Sequence, residues 1–208
     1  IINEVGIEQS LYFKQLFEVE KMLGWVKERQ RVHIKHGHYR FKDEKMSTRK
    51  GNVIWLKEVL EEAIKRAEKL GSKERHLAEK VGIGALKWND LKRSSHLDIV
   101  FDWDEILNMQ GDSGPYIQYT FARTQSVLAK LKVQSEKLKV AIQNSKLERE
   151  EISLLRTLNR FSEVVKEAAE KFSPNILCNY LFDLAQKFNL FYQKVPIIKH
   201  IKQTKSPG

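Results

Sequence analysis

The chain has 208 residues, is 41% hydrophobic and carries a formal net charge of +10 at pH 7. That length holds one large domain or two small ones. One cysteine, Cys178, excludes an internal disulfide and a multi-cysteine zinc site, and no apolar run approaches the roughly 20 residues a membrane span needs.

A basic surface suits an anionic partner such as nucleic acid; a lysine surplus that keeps the chain soluble fits the same charge. The chain opens on Ile1-Ile2 without a methionine, reads there as the end of a strand, and is expected to be part of something longer. No signal peptide is visible, so a cytoplasmic protein is the default expectation.

After Gly6 the spacing predicts a helix from Glu8, with Tyr12, Leu16, Val19, Leu23 and Val26 on one stripe. Val32, Ile34, Tyr39 and Phe41 alternate with polar residues around Gly37, as in a hairpin or a bent strand. His33, His36 and His38 are expected on its solvated face. A charged loop from Lys42 to Asn52 follows. Leu56, Val59, Leu60, Ala63, Ile64 and Ala67 then mark a helix ending before Gly71. Ser72 is placed to cap another, running to about Leu91. Asp98 to Trp103 reads as extended.

The segment Gly111-Asp112-Ser113-Gly114-Pro115 is the clearest punctuation, and the domain boundary is expected there. Pro115 suits the first turn of a helix, where its missing N–H is harmless. Beyond it three helical stripes follow. The first is Ile117, Phe121, Leu128 and Leu131. The second, unbroken, is Leu154, Leu158, Phe161, Val165, Ala168 and Phe172. The third, after a Ser173-Pro174 cap, is Leu177, Leu181, Leu184, Phe188 and Phe191. Together they predict a helical bundle. Pro196 stops the last helix, and the basic tail from Lys199 is expected to be loose.

The loop Lys45-Met46-Ser47-Thr48-Arg49-Lys50-Gly51-Asn52 gathers three cations around small residues and a glycine. Such a loop can close on a polyphosphate and stabilise charge on a departing pyrophosphate. The run "KMSTRKGNVIWL" resembles the loop of class I aminoacyl-tRNA synthetases in its arginyl form. Lys45, Met46 and Ser47 match the first three positions of the Lys-Met-Ser-Lys-Ser pattern. Thr48 replaces the lysine at the fourth, so Arg49 and Lys50 are the candidates for the second cation.

"VGIEQSLYFKQLF" is similar to the strand-to-helix turn at the ATP ribose in that class, which implies ATP-binding roles for Gly6, Glu8 and Gln9. "VGIGALKWNDL" with "FDWDEIL" resembles the segment linking the catalytic and anticodon-binding domains, where Trp88 and Trp103 are expected to be core anchors. "GDSGPYIQYTFARTQSVL" resembles the opening helix of the arginyl-type anticodon-binding domain. At about 100° per residue, Tyr116, Tyr119 and Arg123 cluster about a third of a turn from the apolar stripe. One face can pack while the other offers rings and a guanidinium to unpaired bases. Gln118 is a candidate to read a base edge. "SPNILCNYLFDLAQKFNLFYQKVPII" completes the resemblance, with Phe191 and Tyr192 near the same region and Cys178 in the core.

The resemblance implies an α/β remnant of a Rossmann-like catalytic domain over 1–110, with the loop at 45–51. A mostly complete all-α anticodon-binding bundle follows over 111–198, and a basic tail over 199–208, so the chain is mostly α overall. It further implies arginine and ATP as substrates of the full-length enzyme, ATP with Mg2+, no structural metal, and the anticodon stem-loop of a tRNA as partner. The His-Ile-Gly-His motif of the class is not among these residues, nor is the family's last helix, so the chain alone is expected to be inactive. A cysteinyl-type synthetase and a non-catalytic tRNA-binding module are the rival readings.

Overall fold

A computed structural model describes residues 1–27, 30–41, 55–72, 74–132 and 147–195. The first part begins with strand β1 (Ile2–Gly6), a 3-10 turn (Ile7–Gln9), helix α1 (Ser10–Met22) and strand β2 (Val32–His36). β1 and β2 pair in parallel, from Ile2 opposite Val32 to Gly6 opposite His36. A parallel pair needs a crossover, and α1 supplies it.

Strand β3 (Tyr39–Phe41) does not fold back on β2. It pairs in parallel with β4 (Ile99–Phe101). The alternating stretch is therefore a bent strand and not a hairpin. The bend is at Gly37, whose N–H donates to the Ser95 carbonyl at 2.8 Å. A Cβ on Gly37 would collide with the backbone of Leu97 and lie 2.7 Å from the Asp98 nitrogen. Only a residue without a side chain lets the two strand segments pass so closely.

Helices α2 (Leu56–Lys69) and α3 (Arg75–Leu91) pack against each other. Ala63, Ala67 and Ala78 are fully buried between them. Gly82 lets the backbones touch, because a Cβ there would sit 2.6 Å from the Ala63 carbonyl oxygen. α2 ends as expected before Gly71, which takes φ +112°. α3 starts later than Ser72 suggested: Glu74 occupies the N-cap without a side-chain cap bond.

A short helix α4 (Trp103–Ile106) follows β4. Ala85, Phe101, Ile106 and Leu107 form a core under it with Val59, Leu86 and Trp103. Trp103 lies edge-on to Phe101 at 4.8 Å, and Trp88 donates its indole N–H to Asp112 Oδ1 at 2.8 Å. Both tryptophans are half-buried anchors, as the sequence suggests.

The remainder is helical among the described residues: α5 (Gly114–Lys132), α6 (Arg149–Asn159), α7 (Phe161–Glu170) and α8 (Pro174–Lys194). α8 is the central member and touches α3, α5, α6 and α7. The second stripe is broken, since Arg160 separates α6 from α7. Thr157 and Val164 are the buried residues there, while Leu158, Phe161 and Val165 are exposed. Ser173 is at the N-cap of α8 and Pro174 at its first turn, but the Ser173 hydroxyl donates to the Lys171 carbonyl instead of capping. Cys178 is buried, as expected.

Two further stripes face differently from the prediction. In α1 the buried residue is Phe13, while Tyr12, Val19 and Leu23 are exposed. Phe13 stacks on His33 of β2 at 4.5 Å, and that contact fixes the rotation of α1. In α5 Phe121 is 64% exposed and Leu128 is exposed, while Thr120 and Val127 are buried. Periodicity identifies an amphipathic helix, but the neighbouring element selects the face that packs.

Candidate nucleotide corner and nucleic-acid interface

Parallel strands in α/β folds present ligands at their carboxyl ends. Here the pairing of Gly6 with His36 brings the ends of β1 and β2 level. A Cβ on Gly6 would lie 2.6 Å from Glu8 Oε2, so the glycine makes room for the carboxylate to fold back over the turn. Glu8 Oε1 lies 3.3 Å from His38 Nε2. Asp98 accepts from the His38 backbone N–H at 2.9 Å and pairs with Arg40 at 2.5 Å. The His38 N–H, with help from Arg40, holds the Asp98 carboxyl below the usual range.

Half-buried Gly6 and exposed Glu8 and Gln9 thus occupy one corner, where Glu8 meets His38 and His38 meets Asp98 and, through it, Arg40; the sequence reading assigned His38 only a solvated face and Asp98 and Arg40 no part in a site. The expectation of a solvated histidine face holds for His36 and His38 only. His33 is half-buried on Phe13, and its Nε2–H donates to the Val5 carbonyl at 3.0 Å.

The predicted catalytic residues Lys45, Met46, Ser47, Arg49 and Lys50 lie outside the described residues, and so does the basic tail. The two ends of the loop are defined. β3 delivers the chain to it at Phe41, the carboxyl end of a parallel strand, and Trp55 takes it up at the N-cap of α2.

The second candidate site lies where α5 meets α8. Asn189 is 8% exposed. Its side-chain N–H groups donate to the Tyr116 hydroxyl at 3.0 Å and to Thr120 Oγ1 at 2.9 Å. Its carbonyl accepts from Arg123 at 2.5 Å. The guanidinium is thereby fixed 4.7 Å from the Tyr119 ring centroid and 5.0 Å from that of Tyr192. A second Arg123 nitrogen donates to the Tyr119 hydroxyl at 2.8 Å. Tyr119 and Tyr192 remain 49% and 38% exposed. The result is a stack of two rings and a cation that keeps open edges toward solvent, with its polar atoms satisfied from behind.

Of the four residues expected to meet nucleic acid, Tyr119 and Arg123 come together at this surface. Tyr116 and Gln118 are turned toward neighbouring helices. Tyr116 meets Phe182 edge-on at 5.6 Å, and Gln118 donates to the Lys80 carbonyl at 2.9 Å beside Gly84 of α3. The expected arrangement, apolar stripe inward and tyrosine face outward, is thus only partly met: Tyr119 faces out, but Phe121 and Leu128 of the stripe are exposed and Tyr116 and Thr120 turn to α8, where Asn189 bonds them. Asn189 itself was missed. The available signal was the spacing of Cys178, Ala185 and Asn189, two small residues and an amide on one side of α8.

Among the described residues no helix is long and apolar enough to cross a membrane, and no group of three or more His, Cys, Asp or Glu side chains could hold a metal.

Known families match both parts. Residues 1–103 match the family described as tRNA synthetases class I (R), catalytic domain, and residues 117–206 match the DALR anticodon binding domain. The chain is 38% identical over 200 residues to the arginine–tRNA ligase of Clostridium botulinum, covering 92% of this chain and 35% of that protein. It is 39% identical over 206 residues to the Fusobacterium nucleatum arginine–tRNA ligase, covering 94% and 36%. The Thermus thermophilus arginyl-tRNA synthetase structure superposes with a TM-score of 0.76 at 28% identity, over 92% of this chain and 32% of that one. The chain therefore spans about a third of the length of these relatives. With a class I catalytic segment running into a DALR helical bundle, it belongs to the arginyl-tRNA synthetase family.

Proposed function

We propose that the chain supplies the ATP-closing loop and the anticodon grip of an arginine–tRNA ligase. Such an enzyme joins arginine and ATP into arginyl-adenylate and passes the arginyl group to the terminal ribose of its tRNA. The observation that carries the tRNA part is the Tyr119–Arg123–Tyr192 stack held by buried Asn189. Flat, partly exposed groups of this kind accept unpaired bases, each stack contributing roughly 1–3 kcal/mol. Tyr119 and Arg123 are the proposed contacts. Tyr116 and Gln118 act from behind, fixing α5 against α8 and α3.

In the same reading Gly6, Glu8 and Gln9 seat the adenosine of ATP, which enters as its magnesium complex and is a substrate. Glu8 accepts hydrogen bonds from ribose hydroxyls once its weak exposed pairing with His38 gives way. Lys45, Arg49 and Lys50 stabilise the departing pyrophosphate, with Met46 and Ser47 shaping the loop. The chemistry needs positioning and charge stabilisation and no covalent bond to the protein. Residues 1–110 form the catalytic portion, 111–198 the anticodon-binding portion and 199–208 a basic tail, in a cytoplasmic setting.

The test is tRNA binding by the 208-residue chain at one fixed salt concentration. Replacing Tyr119 and Tyr192 by alanine lowers affinity at least tenfold if each ring stacks a base. Unchanged affinity in a variant with native circular dichroism rejects the assignment.

A further inference from the structure

A separate groove opens between α1, β2 and the end of α7, with a volume of about 1220 Å3. It exceeds the roughly 300–1,000 Å3 typical of small-molecule pockets. Lys14 of α1 and Lys35 of β2 line it, and neither has an ion-pair partner among the described residues. The other charges at the groove are already balanced. Arg31 is clamped by Glu20 at 2.8 Å, and Glu170 lies 3.8 Å from Lys166. The groove thus presents two uncompensated cations beside the apolar surfaces of Leu11 and Phe172.

Its place in the fold narrows the occupant. Phe172 lies two residues before the start of α8 at Pro174, while Tyr192 of the stacking platform lies near the other end of that helix. From Pro174 to Tyr192 the helix rises about 27 Å at 1.5 Å per residue. A mononucleotide cannot reach both places, but a structured RNA can.

We propose that this groove holds the phosphodiester backbone of the RNA whose unpaired bases stack on Tyr119 and Tyr192, with Lys14 and Lys35 each contacting a phosphate. The proposal rests on the tRNA-binding reading but uses different residues and a different physical interaction. Phosphate contacts add affinity without sequence preference and release counterions, so they appear in the salt dependence of binding. Base stacking does so far less.

The experiment measures binding of an unmodified tRNA transcript to the full chain across a salt series. Lys14→Ala with Lys35→Ala should weaken binding roughly tenfold at 0.1 M salt and lower the slope of log affinity against log salt by close to 2. Glu170→Gln should strengthen binding severalfold, an outcome that mere loss of structure cannot produce. Tyr119→Ala with Tyr192→Ala should weaken binding and leave the slope nearly unchanged.

If the lysine variants keep affinity and slope while the tyrosine variants lose affinity, the groove proposal is overturned. The mixed apolar and basic cleft then suits a protein segment instead. If the lysine variants lose slope while the tyrosine variants bind normally, the groove stands and the stacking assignment falls. A transcript that binds no variant and no parent chain overturns both.

Discussion

The side-chain carbonyl of Asn189 accepts a hydrogen bond from Arg123 at 2.5 Å, joining α8 to α5 across 66 residues of sequence. The same amide donates to Tyr116 and Thr120, so one buried residue sets the rotation of α5 and the pose of the half-buried guanidinium.

Asn189→Leu should therefore act on stability and binding together. It leaves the Tyr116 hydroxyl and Thr120 without their amide donor and Arg123 without its acceptor, a loss of about 1–3 kcal/mol. Urea denaturation should show the lower midpoint. Binding of tRNA by the folded fraction should fall because Arg123 is no longer held between the rings. A variant with unchanged midpoint and affinity would remove Asn189 from this role.

Arg123→Lys should keep the charge and lose the platform. A lysine has no planar face to lie between Tyr119 and Tyr192 and cannot reproduce the forked bonds to Asn189 and Tyr119. The expected result is a several-fold loss of tRNA affinity with an unchanged salt slope. A lost slope without lost base-dependent affinity would assign Arg123 to a phosphate.

Gly82 and Gly84 should respond differently to alanine. At Gly82 the new Cβ meets the Ala63 backbone at 2.6 Å, so Gly82→Ala forces α2 and α3 apart. We expect a destabilisation of about 1–3 kcal/mol that no single side-chain change nearby relieves. At Gly84 the obstacle is the amide tip of Gln118. Gly84→Ala should be rescued in large part by Gln118→Ala, a coupling that a double-mutant cycle measures.

Glu105 should contribute to acid sensitivity. The Lys92 ammonium, whose side chain is only 7% exposed, donates to it at 2.9 Å and holds its carboxyl below the usual glutamate range. Arg93 adds to this. A lowered folded-state pKa gives stability that is fully present above the unfolded value of roughly 4.3 and fades as pH falls through the folded one. Glu105→Gln should flatten the acid limb of a plot of denaturation midpoint against pH. An acid limb identical to that of the parent chain would count against the assignment.

Cys178 should be inert in the folded chain. Burial pushes its thiol up to about 11, so little thiolate exists near neutral pH. Reaction with a thiol-specific disulfide reagent should be slow until denaturant is added. Rapid labelling under native conditions would contradict its place in the core.

Apart from the break at Arg160 and the start of α3 at Arg75, the sequence by itself determined where the long helices run, where the chain turns and which family the chain belongs to. Those features are local: a proline after Ser173, glycines at 37, 71 and 114, and a contiguous cationic loop motif are read without knowing any neighbour. Only the tertiary structure decided which side of each helix is inside. Phe13 outranks Tyr12 because β2 offers His33, and Tyr116 and Thr120 outrank Phe121 because α8 offers Asn189. A hydrophobic stripe measures the transfer preference of one helix, whereas the packed face also depends on the polar groups a distant helix must satisfy. That second quantity is absent from any local window of sequence.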